Sequence, residues 1–230
     1  MANWSDWIGR MQVQHDRLTP ALVRRHRATF DADLSDPAPL PGIHWCLCTP
    51  EAATAALGED GHPRREAAGV GLPAGAANTS SFMPPIPLPR RMWAASEVTF
   101  HAPISAQATV ERRTTITDIA EKSGQTGALA FVTLTHETLA DDVMAMRETQ
   151  TLVYREANSA AAPFTAPRAG AATVDQAEWP HAHVLTPDEA LLFRFSAMTF
   201  NTHRIHYDQP YAHGVEGYAG LVVHGPLTAT

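Results

Sequence analysis

Apolar and polar residues alternate with a period of two through the middle of the chain. Such alternation is typical of β-strands that bury one face. It recurs in four segments separated by turn-forming residues, at positions 92–102, 109–119, 128–137 and 149–155. The connections at 122–127 and 140–143 are short and contain the glycines and aspartates that hairpin turns favour. The pattern therefore predicts an antiparallel sheet built from consecutive strands.

One helix is predicted on each side of this sheet. Thr19 and Pro20 have the order of an N-cap followed by a first helical residue, which predicts a helix through Phe30. Thr186 and Pro187 are followed by two acidic residues, and this order predicts a second helix that begins there. Helices before and after an antiparallel sheet place the chain in the α+β class.

Shorter runs outside these elements give weaker signals. Residues 43–48 are expected to form a strand. Thr49 and Pro50 are expected to begin a brief helix that Gly58 ends. The second predicted helix is expected to be short, because residues 193–198 already alternate like a strand.

Two stretches carry no usable periodicity. Residues 58–81 are rich in Gly, Ala, Pro and Ser, which predicts a mobile loop that includes His62. Residues 157–185 are rich in Ala, Pro and Thr and weakly hydrophobic, which predicts a linker. The linker divides the chain into a longer unit, residues 1–156, and a shorter unit, residues 186–230.

Charge and hydropathy exclude several classes of function. The chain carries 17 Lys and Arg against 24 Asp and Glu, a formal net charge of −7, so we expect no nucleic-acid partner. No apolar run is long enough to span a bilayer, and the first residues lack the basic-then-apolar order of a secretory signal. Asp6 is also unlike an Arg-rich transit peptide. We therefore expect a cytoplasmic protein without membrane contact.

The richest concentration of candidate chemistry lies near the end of the chain, in residues 193–226. An apolar, aromatic run there gives way to a short segment dense in Asn, His, Tyr and Asp, and a second apolar run ends at His224. Protein interiors rarely collect so many polar side chains without using them. Gly225 and Pro226 are typical of a helix start, whose free N–H groups can hold an oxygen that becomes negative during a reaction.

Two of these runs carry a family resemblance. Residues 200–206, Phe-Asn-Thr-His-Arg-Ile-His, and residues 217–226, Gly-Tyr-Ala-Gly-Leu-Val-Val-His-Gly-Pro, resemble the signature of MaoC-type hydratases and dehydratases. The closer resemblance is to the branch that contains the type 2 hydroxyacyl-thioester dehydratases and the mesaconyl-C4-CoA and itaconyl-CoA hydratases. It extends into the first half of the chain, where the agreeing segments are 44–45, 58–63, 82–93, 122–127 and 148–155.

The resemblance implies a double hotdog fold, in which each half wraps an antiparallel sheet around a central helix. Residues 1–156 would form the first, hotdog-like domain, and residues 186–230 would form the start of the second, catalytic hotdog. No long amphipathic run lies between positions 43 and 93, so we expect the first half to lack a full central helix and to leave a cavity for an acyl chain. The second half is expected to be incomplete, because the sequence stops just after the helix start at Gly225.

The same resemblance implies the reversible hydration of an enoyl-CoA, or the dehydration of a 3-hydroxyacyl thioester. The branch points to a short, branched dicarboxylic acyl group such as mesaconyl or itaconyl, carried on coenzyme A or on an acyl carrier. Coenzyme A would be part of the substrate, and no metal or redox cofactor is implied. An incomplete second half would also favour association with a second copy of the chain, as a homodimer.

Three polar residues are the catalytic candidates that this resemblance implies. His206 falls where the superfamily places its histidine, and imidazole suits a base near neutral pH. Asn201 fills the position of the superfamily's usual aspartate, and an amide cannot usefully exchange a proton. Asp208 could replace that aspartate or orient the His206 ring. Backbone N–H groups at Gly220 and Gly225 are the candidates for holding the enolate oxygen.

The candidates for substrate binding are arginines and tyrosines near these motifs. Arg90 and Arg91 could bind the phosphates of coenzyme A, since a guanidinium group matches phosphate well, or they could be charges at a sheet edge. A charged acyl end would need an arginine, and the donors near the catalytic candidates in sequence are Arg194, Arg204, Tyr207 and Tyr211.

The same residues allow other interpretations. His206 could be a structural histidine, and Asn201 could cap a short helix. The functional alternatives are a thioesterase, which would release free coenzyme A, and a non-catalytic subunit that binds acyl thioesters without turnover. The thioesterase would use Asp208 or Glu216 beside the thioester carbonyl. The candidate ligands for a metal ion are His203, His206, Asp208 and His213.

Overall fold

The computed structural model describes residues 4–64, 82–124, 127–156 and 185–229. Within them a single five-stranded sheet contains the strands Met11–Arg17 (β1), Arg90–Phe100 (β2), Thr109–Gly124 (β3), Gly127–Ala140 (β4) and Val143–Arg155 (β5). Their order across the sheet is β1-β3-β4-β5-β2, and every pairing is antiparallel. The antiparallel sheet predicted from the period-two alternation is confirmed.

The hairpin from β4 to β5 shows how local sequence sets the register. Asp141 and Asp142 occupy its two turn positions with φ angles of 49° and 65°. Two left-handed residues in succession are what a type I′ turn requires, and aspartate adopts this conformation more readily than most residues. Ala140 therefore pairs directly with Val143, and the turn predicted at 140–143 is confirmed.

The described α-helices are Pro20–Thr29 (α1), Glu189–Met198 (α2), Gln209–Gly214 (α3) and Gly225–Thr228 (α4). Thr19 caps α1 as predicted, because its side chain accepts a hydrogen bond from the amide of Leu22. Helix α4 begins at Gly225, also as predicted. The first two helices pack against each other, with the ring centroids of Phe30 and Phe195 6.4 Å apart.

The strand predicted at residues 193–198 is wrong, because these residues belong to α2. The helix begins at Glu189, capped by Asp188, rather than at the predicted Thr186-Pro187. Its buried residues recur at helical spacing and pack against Leu227 of α4; they are Leu191, Leu192 and Phe195. Six residues are too short a window to separate this spacing from alternation.

The strand predicted at residues 43–48 is also wrong. Ile43–Cys46 forms a 3₁₀ turn that follows Gly42, whose φ is 84°. Its residues pack on all sides, and the period of a short, fully buried run does not distinguish a turn of helix from a strand. The brief helix expected from Thr49 is a single 3₁₀ turn, Thr54–Ala56. Strand β1 was not predicted, since its alternate residues are only half-buried at the edge of the sheet.

Residues 58–64 form a hydrogen-bonded turn, which corrects the first part of the mobile loop predicted over 58–81. A β-bridge between Leu57 and Pro63 closes the turn. The turn also contacts the end of the chain, because the amide of Arg204 donates a 2.9 Å hydrogen bond to the carbonyl of Asp60. Residues 65–81 of the predicted loop and residues 157–184 of the predicted linker lie outside the described residues.

The sheet and the later helices lie in different parts of the sequence. All five strands belong to residues 1–156, whereas the described residues 185–229 form helices and turns without a strand. Between positions 43 and 89 the described residues form 3₁₀ turns and no α-helix. The division into two hotdog domains stays a prediction. No described helix is both long and apolar enough to cross a membrane.

Replacing Gly61 by alanine is expected to destabilise the fold. Gly61 has a φ of +86°, and a Cβ atom there would lie 1.8 Å from the carbonyl oxygen of Thr202. Relieving this clash would separate the 58–64 turn from the end of the chain, so we expect the free energy of unfolding in urea to fall by about 2 kcal/mol or more. Gly214→Ala is the control, because no atom lies within 4 Å of its added Cβ. Equal losses in the two variants would contradict the account.

Candidate active site

The sheet and residues 195–226 enclose a cavity of about 810 Å³, the central cavity. Its size is typical of sites that bind small molecules. Alternate residues of β3, β4 and β5 line it, so one face of the sheet forms its floor. Residues 57–63 and 199–226 supply four of its histidines, which are His62, His203, His206 and His224. The central cavity therefore brings together the two parts of the sequence that carry the motifs.

His206 lies in the 3₁₀ turn Arg204–His206, is buried, and lines the central cavity. Its Nδ1 atom is 2.7 Å from the carbonyl oxygen of Val222. A carbonyl can only accept a hydrogen bond, so Nδ1 carries the proton and Nε2 keeps its lone pair. Among the described residues no second side chain or backbone group bonds to this ring. The geometry leaves Nε2 as a proton acceptor at the cavity wall.

The ring of His224 stacks on His206, with centroids 3.7 Å apart and an interplanar angle of 17°. Its Nε2 atom is 2.8 Å from the hydroxyl of Ser196, which fixes the ring in place. Burial lowers the pKa of His206 to about 4, although the bond to Val222 acts in the opposite direction. Burial and the adjacent His206 lower the pKa of His224 to about 3. Both rings are therefore neutral near pH 7.

A third histidine extends this cluster towards the 58–64 turn. The ring of His203 lies 5.4 Å from that of His206 and 4.1 Å from that of His62. The Nδ1 atom of His62 is 3.1 Å from a carboxylate oxygen of Asp60. Burial would raise the pKa of Asp60, but its hydrogen bonds to the side chain and backbone of His62 bring it below the usual range. A carboxylate from the first half of the chain thus adjoins the histidines of the second.

Asn201 lines the central cavity, and its side-chain oxygen accepts a 3.0 Å hydrogen bond from the amide of His203. The Asn201 oxygen thus caps the start of the turn by binding a nearby backbone amide, which is the structural alternative for this residue. Because that oxygen is occupied, the NH₂ group is what the side chain can offer to a ligand. Asn201 can therefore donate to a water or a substrate oxygen but cannot exchange a proton.

Gly225 lines the central cavity where helix α4 begins, and Gly220 does not line it. A Cβ atom at Gly225 would lie 1.9 Å from the indole ring of Trp93, so a larger residue does not fit there. Around Gly220 no atom lies within 4 Å of an added Cβ. Of the two glycines proposed to hold an enolate oxygen, the structure brings only Gly225 to the cavity.

Asp208 and Arg204 lie outside the lining of the central cavity and bind each other. The Nη2 atom of Arg204 is 2.7 Å from the Asp208 carboxylate. The same carboxylate caps α3 by accepting a 3.0 Å hydrogen bond from the amide of Tyr211. The structure does not bring Asp208 to the His206 ring, and the charge of Arg204 already has a partner.

The tyrosine candidates and Arg194 also lie outside the cavity lining. The hydroxyl of Tyr207, which is exposed, donates to a backbone carbonyl in its own turn. The hydroxyl of Tyr211 donates a 3.2 Å hydrogen bond to the Glu216 carboxylate. Arg194 is exposed and reaches the carbonyl of Ala28 at 3.5 Å. All three side chains therefore bind groups of the protein itself, outside the cavity lining.

Arg90 and Arg91 differ because successive residues of a strand point to opposite faces. Arg90 forms an ion pair with Glu216. Arg91 is half-buried and lines the central cavity, and none of the described carboxylates lies within 4.0 Å of its guanidinium group. Its positive charge contributes to the lowered pKa of His203, after burial and the neighbouring histidines. Arg91 is the member of the pair that can meet a ligand.

The four residues considered as metal ligands are not brought together. Asp208 pairs with Arg204, and the ring of His213 is exposed and bonds to the carbonyl of Tyr218. Another group does have metal-ligand spacing: Asp60, His62 and His203 each offer an atom, all within 4.8 Å of one another. In the structure the first two are already joined by a hydrogen bond.

Sequence reasoning missed Asp60, His62 and His224 as site residues and considered His203 only as a metal ligand. The motif at 58–63 was part of the family resemblance, but the loop-like composition that follows it placed His62 in a mobile loop. His203 and His224 stand inside the two quoted motifs, three residues before His206 and one before Gly225. Their place inside the motifs could have identified them. They were not chosen because only the residue types expected for the superfamily were considered as catalytic.

The buried histidines are expected to make the fold less stable as the pH falls below about 6.5, their ordinary pKa. Burial lowers the pKa values of His26 and His206 to about 4 and of His44 and His224 to about 3. Between pH 6.5 and 4 the unfolded chain therefore binds protons that the folded chain does not. Each such proton costs about 1.4 kcal/mol per pH unit, so urea denaturation at pH 7.5, 6.5 and 5.5 should show a progressive loss. A constant or increasing stability over this range would contradict the buried neutral state.

Comparison with known proteins gives a family and two relatives. The family model of hydroxyacyl-thioester dehydratase type 2 matches residues 42–230. Mesaconyl-C4-CoA hydratase of Chloroflexus aurantiacus is 40% identical over 99% of this chain and 76% of that protein. The mitochondrial hydroxyacyl-thioester dehydratase type 2 of Schizosaccharomyces pombe is 36% identical over 38% of this chain and 27% of its own length.

Solved structures support the fold at low sequence identity. A MaoC-like dehydratase aligns with a TM-score of 0.62 at 13% identity, covering 98% of this chain and 76% of that one. The MaoC-like dehydratase of Phytophthora capsici aligns with a TM-score of 0.57 at 12% identity, covering 97% and 73%. Taken with the family match, these likenesses lead to one conclusion. The chain belongs to the type 2 hydroxyacyl-thioester dehydratase family of MaoC-like proteins and is a hydro-lyase that acts on acyl thioesters.

Proposed function

We propose that this hydro-lyase adds water to the double bond of an enoyl-CoA with a short, carboxylated acyl group, and that His206 moves the proton. The observation that carries the proposal is the bond between Nδ1 of His206 and the carbonyl of Val222, which leaves Nε2 free in the central cavity. The acyl class is suggested by the Chloroflexus relative, whose name describes a hydratase of mesaconyl-C4-CoA.

In the proposed reaction one ring makes both proton transfers. Nε2 of His206 takes a proton from water as the water oxygen bonds to the β-carbon. The electrons of the double bond move onto the thioester oxygen and give an enolate. The imidazolium then returns the proton to the α-carbon, and the carbonyl re-forms. Water and the acyl thioester supply every atom, and no net electron transfer occurs.

The lowered pKa of His206 suits the second transfer better than the first. An imidazole with a pKa of about 4 is a weak base towards water, and its conjugate acid is a strong donor to an enolate. The first transfer therefore depends on the negative charge of the forming enolate. That charge lies close to the ring and stabilises its imidazolium form. We assign to the backbone N–H of Gly225 the role of holding that enolate oxygen, and to the NH₂ group of Asn201 that of orienting the water, because both residues line the central cavity.

We assign to Asp60 the role of the superfamily's aspartate, because position 201 holds an asparagine instead. It bonds to His62, whose ring lies against His203 beside His206. A negative charge at Asp60 would stabilise a transient positive charge on the histidine cluster, which burial otherwise disfavours. Asp208, the candidate from the sequence, is already engaged by Arg204 and by the start of α3.

Arg91 is the proposed contact for the phosphates of coenzyme A. It lines both the central cavity and an adjoining pocket of about 300 Å³ next to Arg64. A guanidinium group without a carboxylate partner can bind phosphate oxygens through two parallel hydrogen bonds. Arg90 is not proposed for this role, because Glu216 already neutralises its charge.

The thioesterase alternative is less favoured by these contacts. Its two candidate carboxylates, Asp208 and Glu216, are paired with Arg204 and Arg90 and do not line the central cavity. The two activities are separated by their products, because hydration removes the conjugated enoyl absorbance without releasing a thiol. Hydrolysis would release free coenzyme A, and a binding-only subunit would do neither.

His206→Ala is expected to abolish hydration almost completely, with a loss of about 10³-fold or more in kcat, because the variant lacks the Nε2 atom that is proposed to make both proton transfers. The assay follows the conjugated absorbance of mesaconyl-C4-CoA and crotonyl-CoA with the wild-type chain and the variant. His213→Ala is the matched control, since His213 is exposed and lies outside the cavity lining. Undiminished turnover in His206→Ala would exclude this ring as the base.

Asp60→Asn is expected to lower kcat by about 10- to 100-fold, because the histidine cluster loses the charge that stabilises its protonated state. Asp208→Asn keeps its amide oxygen as a helix cap and should reduce kcat by less than about 3-fold. Both variants are measured with the wild-type's preferred thioester, and their folding is checked by urea denaturation. A larger loss in Asp208→Asn than in Asp60→Asn would reverse the assignment.

A further inference from the structure

Part of the floor of the central cavity is polar. Leu134 and Leu152 are apolar, as is usual for the lining of a ligand cavity, but five other lining residues of the same sheet face carry polar groups. The polar floor consists of alternate residues on β3, β4 and β5 that line the cavity: Arg112, Thr114, His136, Glu148 and Gln150. Thr114 pairs with His136 across one ladder, and His136 pairs with Glu148 across the next. These side chains therefore form a continuous row beneath the space for the acyl group.

Most of the polar floor is satisfied by contacts within the protein. The hydroxyl of Thr114 is 2.8 Å from Nδ1 of His136. The Glu148 carboxylate, which is 4% exposed, accepts hydrogen bonds from the hydroxyl of Ser96 at 2.5 Å and from the indole of Trp45 at 3.3 Å. Buried polar groups with partners of this kind are stable as they stand and do not require a ligand.

Arg112 is the member of the row whose hydrogen bonding is incomplete. One Nη2 hydrogen bond runs to the carbonyl of His44. Its Nε atom is buried and has no hydrogen-bond partner, and none of the described carboxylates, Glu148 included, lies within 4.0 Å of its guanidinium group. Arg112 is half-buried, and withdrawing a cationic group from water without an anion is costly, so an anionic ligand in the cavity would be bound there.

We infer that Arg112 binds a carboxylate on the acyl group, so that the polar floor selects carboxylated acyl thioesters over alkyl thioesters of equal length. This inference rests on the proposed function and assigns a binding subsite to it. The planar guanidinium group can donate two parallel hydrogen bonds to a carboxylate. An alkyl chain in the same place would cover Arg112 without replacing the hydrogen bonds that water gives it.

The position of Arg112 in the sheet separates it from the proposed phosphate contact. Arg112 lies on β3, an interior strand, whereas Arg91 lies on β2, an edge strand. Arg91 also lines the adjoining pocket beside Arg64, and Arg112 does not. Coenzyme A would therefore enter past Arg91, and the acyl group would point towards Arg112. Arg91 and Arg112 would bind opposite ends of one substrate.

The test compares thioester pairs in which a methyl group replaces the carboxylate. The pairs are mesaconyl-C4-CoA with 3-methylcrotonyl-CoA and hex-2-enedioyl-CoA with hex-2-enoyl-CoA, which place the carboxylate at two distances from the thioester. In the wild-type chain we expect a preference in the pair whose carboxylate lies at the right distance from the thioester. In that pair kcat/KM for the carboxylated thioester should exceed that of its methyl partner by about 100-fold. Arg112→Met should reduce this ratio by about 30-fold or more, through the loss of charged hydrogen bonds.

Two further variants separate binding from folding. Arg112→Gln keeps a donor towards the carbonyl of His44 but removes the charge, and it should also lose the preference. Arg113→Met changes the next residue, which is exposed and paired with Glu111 on the other face of the strand, and should keep the wild-type ratio. A wild-type ratio near one, or a ratio unchanged in both Arg112 variants, would overturn the inference. A loss in Arg91→Gln but not in the Arg112 variants would do the same.

Binding of saturated thioesters distinguishes failure of the subsite from failure of the proposed function. Succinyl-CoA and butyryl-CoA differ by a carboxylate in place of a methyl group and cannot be hydrated. By calorimetry, the wild-type chain should bind succinyl-CoA at least about 10-fold more tightly, and Arg112→Gln should bind the two alike. If no enoyl thioester is turned over but this preference holds, the proposed hydration fails and the subsite stands. Equal affinities in the wild-type chain would overturn the subsite whatever the turnover.

Discussion

The hydrogen bond between the His206 ring and the carbonyl of Val222 is the contact on which the site depends. It assigns the proton to Nδ1 and so leaves the lone pair on Nε2, the atom that the proposed reaction uses as its base. A second bond supports it, since the amide of Val222 donates to the carbonyl of Ile205 at 2.9 Å. The two motifs at the end of the chain are therefore joined by backbone groups, and side-chain rearrangement alone does not separate them.

The central cavity exists because residues far apart in sequence approach closely where no side chain would fit. Gly61 lies against the carbonyl of Thr202, and Gly225 lies against the ring of Trp93. The indole of Trp93 donates to Ser96, which donates in turn to Glu148 on the polar floor. The start of α4 and the floor are thus connected through one series of contacts. A substitution at Gly225 is therefore expected to alter the position of Glu148, and a substitution at Glu148 that of Gly225.

Much of the fold and part of the site could be predicted from the sequence. The long strands were predictable because one buried face produces alternation, and the helix start at Gly225 because glycine and proline mark it. Residues 193–198 were mistaken for a strand because a helix buried on one side repeats too slowly to be recognised in six positions. The approach of Asp60 to His203, and the pairing of Arg90 with Glu216, depend on tertiary contacts that spacing along the chain does not encode.

Hydration of crotonyl-CoA in D₂O, with the product analysed by NMR, tests the central claim most directly. If one histidine both activates the water and protonates the α-carbon, the hydroxyl and the new hydrogen are added to the same face of the double bond. The account predicts one deuterium at the α-carbon, in a single configuration that is syn to the hydroxyl. Deuterium on the opposite face, or divided between both faces, would contradict proton transfer by a single ring at His206.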